Sequence, residues 1–329
     1  MSLKKRNNMS NPSYYKPVKP SMARRCSVHD YTSRCFYLVT TTVVNRQPLL
    51  GRLVGNSQAE TPDGRPSIVL SPLGEAVMSS WLKLPDYYAT VSVVAAQVMP
   101  NHFHGIIFFK ESSDLHLGHV MRGFKTGCNR AYRELVQGTS MPHSDGLLWN
   151  NGYNDRILTH YEMLDKWKRY LAENPLRLAL KREHPDLFRV QFGAHVAGHQ
   201  VNAIGNRFLL DYPDKLAVKC SRSLGELEIK EQVSYYLEKG KQGSVLVSPS
   251  ISPGEKAVMR AALEAQLPII HIDSQGFNSY TKPGGQFFEA CAAGHLLIVS
   301  PWVHSTRKQV LTREQCLIMN GLAAAICAT

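Results

Sequence analysis

The chain has 329 residues, 43% hydrophobic and 19% charged, which is enough apolar material for a core in each of two domains and excludes a globally disordered protein. Its formal charge of +12 is uneven, because residues 1–190 hold 25 Lys and Arg against 15 Asp and Glu while residues 191–329 hold 13 against 11. A basic front half suits a polyanionic partner, and no apolar run approaches the ~20 residues needed to cross a bilayer. The start, Met1-Ser2-Leu3-Lys4-Lys5-Arg6-Asn7-Asn8, carries charge with no apolar stretch behind it, so no secretory leader is expected. Seven cysteines, odd in number and without a Cys-x-x-Cys pair, read as reduced thiols of a cytoplasmic protein with no membrane partner.

Residues 1–25 carry seven basic residues and no acidic one, and are expected to form a flexible basic arm. Arg34 to Val44 is rich in β-branched and aromatic residues and predicts a strand. Pro48 and the glycines at 51, 55 and 64 punctuate a loop, after which Ser67-Ile68-Val69-Leu70 predicts a short strand. Ser71-Pro72-Leu73-Gly74-Glu75 places a capping hydroxyl, a proline at the first helical position and an acid in the first turn. It starts a helix expected to end near Leu84-Pro85.

A β-prone segment then runs from Thr90 to Phe109 and contains Asn101-His102-Phe103-His104-Gly105. Side chains alternate along a strand, so His102 and His104 share one face, about 7 Å apart, and Phe103 takes the other. Alone, the pair reads as one buried and one solvated histidine; with a third partner it is a metal site. Leu117 to Val136 predicts a helix bearing Arg122, Lys125, Arg130 and Arg133, either a solvated basic face or a set of phosphate contacts.

Tyr161 to Pro175 predicts another helix, with Met163, Leu164, Trp167, Tyr170 and Leu171 at three- and four-residue steps and an end near Asn174-Pro175. Tyr170 and Asn174 are four apart and stack on one face. Taken singly, Tyr170 is a core aromatic and Asn174 a helix-end residue. Together with two imidazoles, a phenol and an amide oxygen suit metal-assisted attack on phosphate.

Beyond Phe188 the character changes. Phe192 to His199 is glycine-rich, a linker or a first strand and turn, and His195 and His199 are read as structural rather than as ligands. Strands over 215–220, 243–248, 268–272 and 295–300 alternate with helices over 224–239, 253–265, 289–292 and 312–327. That alternation predicts a parallel sheet with helices on both faces, a Rossmann-like α/β domain. Ser248 to Glu255 offers hydroxyls and helix N-terminal amides to an anion, and Lys282-Pro283-Gly284-Gly285-Gln286 is a glycine turn before a helix. Each also reads as a plain tight turn. The expected division is therefore an arm at 1–25, an α+β domain at 26–190 with a mainly antiparallel sheet, and an α/β domain at 191–329.

Met99-Pro100-Asn101-His102-Phe103-His104-Gly105 resembles the signature of the HUH single-tyrosine transposases. Tyr170-Leu171-Ala172-Glu173-Asn174-Pro175 resembles the nucleophile helix of their REP-associated branch. Tyr37-Leu38-Val39-Thr40-Thr41, Leu70 to Gly74 with Trp81, Phe124-Lys125-Thr126, and Trp149 with Tyr153-Asn154-Asp155-Arg156 match further blocks in the same order, over roughly Tyr31 to Phe188. The resemblance implies a ferredoxin-like HUH domain that nicks and rejoins single-stranded DNA near a hairpin or imperfect palindrome. In that reading Tyr170 forms a 5′-phosphotyrosine and frees a 3′ hydroxyl. His102, His104 and Asn174 hold Mg²⁺ or Mn²⁺, the softer nitrogen donors favouring manganese. Arg122, Lys125, Arg130 and Arg156 position the DNA backbone, and Asp155 either orients a histidine or caps a helix. The C-terminal block is similar to the DprA and lysine-decarboxylase-like (LOG) families, which implies a possible nucleotide or DNA ligand there. A monomer or homodimer is expected. Two alternatives stay open: a metal-dependent phosphohydrolase using the same histidines, and a non-catalytic DNA-binding regulator derived from a transposase.

Overall fold

Strand β1 (Phe36–Thr42) has the alternation that a sheet buried on both sides requires, with Tyr37 and Val39 fully buried toward one side and Leu38 toward the other. The computed structural model describes residues 25–26, 28–136, 147–159, 161–305 and 310–329. All but the last residue of the expected basic arm lies outside that set. By its internal contacts the chain divides into Met1–Ala179 and Leu180–Thr329.

In the first unit the loop expected after β1 contains a strand of its own. β2 (Gly51–Val54) pairs antiparallel with β3 (Ser67–Leu70) in a small separate sheet. Its four residues were too few to stand out between glycines. Helix α1 (Pro72–Leu82) starts as expected, the Ser71 hydroxyl accepting from the Gly74 amide at 3.1 Å. It is followed by the short α2 (Leu84–Tyr87). The β-prone segment is two strands, β4 (Val91–Met99) and β5 (His102–Phe109), folded back at Pro100-Asn101 with Met99 opposite His102. Then come α3 (Leu117–Val136), β6 (Asn154–Leu158) and α4 (Tyr161–Glu183).

The main sheet has the order β4-β5-β1-β6, with every neighbour antiparallel. One face carries Phe103, Ile107, Tyr37 and Val39 and packs on α1 and α3 through Val77, Trp81, Met121 and Phe124. The other carries Leu38, Ile106 and Leu158 and packs on Leu164, Trp167, Tyr170 and Leu171 of α4. This is an α+β arrangement with helices on both faces of an antiparallel sheet.

Helix α4 does not stop at Asn174-Pro175; it runs on to Glu183. Proline removes one backbone donor and crowds the preceding turn, a cost of about 3 kcal/mol in a helix interior. Continued packing offsets it, since Pro175, Arg177 and Ala179 beyond the break are all buried. The Asn174 side-chain amide also donates to the Tyr170 carbonyl at 3.1 Å, tying together the turn that the proline interrupts.

The second unit is built on a six-stranded sheet, β7-β8-β12-β11-β10-β9. Its strands are β7 (Gln191–Val196), β8 (His199–Gly205), β9 (Lys215–Ala217), β10 (Val245–Ser248), β11 (Ile269–Ile272) and β12 (Leu296–Ser300). Strands β9 to β12 are parallel, as the alternation predicted. The glycine-rich segment at 192–199 is an added hairpin, β8 running antiparallel to β12. Ala197 and Gly198 turn it with positive φ at both positions, the backbone that matches the twist of paired strands. His195 and His199 sit exposed on either side of that turn. Helices α5 (Glu226–Lys241), α6 (Pro253–Glu264) and α7 (Gln286–Ala292) pack on one face of the sheet through Tyr236, Val258, Met259 and Phe288. Helix α8 (Arg313–Cys327) packs on the other through Met319, Leu322 and Ile326. Among the described residues no helix is long and apolar enough to cross a membrane.

Candidate active site

The face of the first sheet that α4 covers is apolar at one end and polar at the other. β5 pairs with β1 so that Thr42 lies opposite His102 and Thr40 opposite His104. On the far side of β5, Gln97 of β4 lies opposite His104. Directly opposed residues in an antiparallel pair share a face, so the two histidines stand in a patch of threonine and amide side chains.

Both imidazoles are held. His102 Nδ1 lies 2.7 Å from Asn101 Oδ1, and His104 Nδ1 lies 2.7 Å from Thr40 Oγ1. An amide oxygen only accepts, so His102 Nδ1 carries the hydrogen. The rings stand edge to face with centroids 4.8 Å apart. Burial, with a smaller contribution from His102, pushes the pKa of His104 down to about 3, keeping it a neutral imidazole, the form that binds metal. Gly105 follows for a steric reason. A Cβ there would come within 2.3 Å of the Trp81 ring, which lies against the opposite face of β5.

Helix α4 brings Tyr170 onto this patch. Its ring centroid is 6.2 Å from that of His104 and 5.1 Å from that of Trp167, and the Arg177 guanidinium lies 5.4 Å from its centre. Asn174, one turn on and only 8% exposed, gives its amide hydrogen to the helix, which leaves its oxygen as the donor atom for a ligand. The two imidazoles, with their Nδ1 atoms engaged, are of a kind that suits a divalent cation of intermediate softness, and Asn174 carries an amide oxygen one turn from Tyr170.

The other expected residues separate. Arg156 stays on the α4 side of the sheet, its guanidinium 4.6 Å from the centre of the Trp167 ring. Arg122 and Arg130 are exposed on α3, which packs on the opposite face; with Lys83, Tyr87 and His119 they line a cleft of about 700 Å³. Lys125 does not face solvent for a phosphate. Its ammonium bonds the Asn150 carbonyl at 2.8 Å and also the Gly152 carbonyl, and burial lowers its pKa to about 8. Asp155 does not orient a histidine. It lies opposite Val39, on the other face, where it accepts from the Tyr31 phenol at 2.7 Å with Arg25 3.9 Å away.

Thr40, Gln97, Asn101 and Arg177 were not singled out from the sequence. Asn101 adjoins the histidines, and Arg177 continues the Tyr170 face of the helix, so both were within reach. Thr40 depends on strand neighbours, which local periodicity does not encode.

In the second unit the loop after β10 is closed on itself. Glu255 accepts from the Ile251 and Ser252 amides at 2.6 and 3.3 Å, and the Ser252 hydroxyl accepts from the Glu255 amide at 3.1 Å. The carboxylate occupies the position that an anionic ligand would take at this helix start.

No protein-family model matches the chain. Over 159 residues it is 26% identical to an uncharacterized protein of Haemophilus influenzae, a match covering 46% of this chain and 77% of the other. Among solved structures it is similar to a REP-associated tyrosine transposase bound to a REP hairpin, with 15% identity, 46% of this chain and 72% of that one covered, and a TM-score of 0.31. It is also similar to a candidate transposase of Deinococcus radiodurans, at 17% identity, with 46% and 96% covered and a TM-score of 0.26. A third similarity is to DNA processing protein A of Helicobacter pylori, described for its single-stranded DNA binding, at 19% identity, with 43% and 66% covered and a TM-score of 0.33.

Proposed function

We propose that the first unit is a metal-dependent enzyme that nicks and rejoins single-stranded DNA at a hairpin or palindrome, with Tyr170 as the nucleophile. The observation that carries this reading is the meeting of the Tyr170 and His104 rings, 6.2 Å between centroids, from distant parts of the chain. The sheet order β4-β5-β1-β6, with α1 and α3 on one face, supports a ferredoxin-like HUH core. The parallel strands β9 to β12, with helices on both faces, support a Rossmann-like second domain; with Glu255 closing the loop after β10, no nucleotide is assigned there.

His102, His104 and Asn174 would hold Mg²⁺ or Mn²⁺, which when bound offsets the negative charge of the phosphodiester. The Tyr170 oxygen attacks phosphorus, a Tyr–O–P bond forms and the P–O3′ bond breaks. The phenolic proton is lost to solvent and the departing 3′ oxygen takes one up, leaving a 3′ hydroxyl. The 5′-phosphotyrosine keeps the ester, so rejoining needs no nucleotide cofactor. Arg177, which lies over the Tyr170 ring and pairs with Glu173 at 3.5 Å, would add positive charge near the phenol, and Arg156 on the same side of the sheet would contact the strand. The protein is read as a monomer or homodimer in the cytoplasm.

The test is to incubate the full chain and its Tyr170→Phe variant with labelled single-stranded hairpins and Mn²⁺, then map any covalent adduct to its peptide. A Tyr170 adduct that the variant loses while still binding DNA supports the reading. Hydrolysis by both proteins without an adduct supports a phosphohydrolase, and binding without cleavage by either supports a regulator.

A further inference from the structure

On the side of the first sheet away from the histidines, α1 and α2 face α3 across a cleft of about 700 Å³. We infer that this cleft binds a nucleoside phosphate, with its base against Tyr87 and Tyr88 and its phosphates among Lys83, Arg122 and Arg130. The site is separate from the histidine face and does not depend on the nicking reading.

Shape distinguishes the cleft from a track for DNA. Cations that hold a DNA backbone are spread over an open surface. Here they surround a concave space whose lining includes the buried side chains of Leu84 and Phe124. Sites for small molecules run from about 300 to about 1,000 Å³ and combine apolar walls with a few convergent polar groups.

Two close approaches of the helices set its length. The Tyr88 hydroxyl lies against Gly123, where a Cβ would come within 2.3 Å, and donates to the His119 carbonyl at 3.5 Å. The Ser80 hydroxyl faces Gly127, 3.5 Å from where a Cβ would stand. Tyr87, Tyr88 and His119 therefore mark one end of the cleft, and Ser79, Ser80 and Arg130 the other. From His119 to Arg130 the helix rises about 16 Å, room for a base, a sugar and two phosphates in line.

The chemistry changes along that length. At the aromatic end Tyr87 is 75% exposed and meets no other ring among the described residues, and a tyrosine face stacks on a base. Arg122, Thr126 and Arg130 follow at four-residue steps in one row on α3, with Lys83 across from them at the end of α1. Among the described residues no carboxylate lines the cleft, and none of the three cations has an ion pair. Such a set matches an anion of more than one charge. Bare phosphate would leave the aromatic end unused and an uncharged ring would leave the cations unmatched, whereas a nucleoside phosphate meets both.

The test is isothermal titration calorimetry of the full chain in EDTA with ADP, GDP, CDP and UDP, and with pyrophosphate as reference. At least one nucleotide is expected to bind at one site about tenfold more tightly than pyrophosphate. Arg130→Gln should weaken that nucleotide about tenfold, and Tyr87→Ala should bring it to the affinity of pyrophosphate. Both side chains are exposed, so thermal melts should match the unaltered chain. Arg133→Gln makes the same charge change on the same helix outside the cleft and should leave binding unchanged. Nucleotides that bind no tighter than pyrophosphate overturn the inference, as does an equal loss in Arg133→Gln. Tight binding untouched by Arg130→Gln and Tyr87→Ala also overturns it, because the nucleotide then sits elsewhere on the chain. So does an absence of nucleotide binding together with loss of affinity for a duplex hairpin stem in Arg122→Gln and Arg130→Gln. A missing tyrosine adduct bears on the nicking proposal alone.

Discussion

The two sheets of this protein place their polar groups differently. In the second unit β10 and β12 are buried along their whole length, and bonds close the loops after them: Glu255 caps its own loop, Asp273 accepts from the Gln275 and Gly276 amides, and the Ser300 hydroxyl donates to the Asp273 carbonyl, while His295 Nδ1 and Trp302 Nε1 at the two ends of β12 are buried without a partner among the described residues. In the first unit an equally buried strand keeps a neutral histidine 8% exposed, and β1 keeps an unpaired threonine hydroxyl. The first sheet gathers polar side chains at one end of a buried face, around His102 and His104, while the second keeps its polar bonds in the loops at its strand ends.

The largest expected effect tests how tightly the first sheet is built around its site. Gly105→Ala drives a methyl into the fully buried Trp81 ring and should destabilise the first unit by about 3 kcal/mol in chemical denaturation. Gly284→Ala in the second unit meets open space and should change stability by under about 0.5 kcal/mol. Next, Mn²⁺ at about a hundred times its dissociation constant should stabilise the first unit by about 2.7 kcal/mol through binding to the folded state alone. His104→Ala should abolish that shift in a thermal melt and Glu255→Gln should preserve it.

Glu255→Gln weakens the self-closed loop of the second unit and should cost about 1.5 kcal/mol of that unit's stability, with hairpin binding unchanged by fluorescence anisotropy. The smallest effect is one of pH. Burial lowers the pKa of Lys125 from 10.5 to about 8, so between those values the unfolded chain holds a proton that the folded chain lacks. Stability therefore rises with pH across that window. Compared with Lys125→Met, the unaltered chain should gain stability from pH 8 to 10.5 in denaturant titrations, and a difference that falls with pH would contradict this.

Much of the geometry of the candidate site was legible because its parts are local. Two-residue alternation put His102 and His104 on one face, and the three- and four-residue steps of α4 put Tyr170 with Asn174. The cap at Ser71 and the four parallel strands of the second unit were readable in the same way. Asp155 was misread because its role depends on which face of β6 it takes, and that is set by pairing with Val39 rather than by its neighbours in sequence. Lys125 was misread because a basic residue on an amphipathic helix looks the same whether it meets solvent or the carbonyls of a distant loop. The helix end at Asn174-Pro175 failed for a related reason: local propensity favours a stop there, and buried contacts beyond the proline outweigh it.

The amino-acid order by itself determined most of the strands and helices and the residue types each presents, since those patterns are written within a few neighbouring positions; β2 and the last turns of α4 were not among them. It did not decide that β1 would lie between β5 and β6, bringing Thr40 to His104 and turning Asp155 away, nor that α4 would cross the histidine face and carry Tyr170 there. Those placements come from burying Leu38, Ile106 and Leu158 beneath Leu164 and Leu171. That packing is a choice among distant surfaces of similar hydrophobicity, and only the folded chain resolves it.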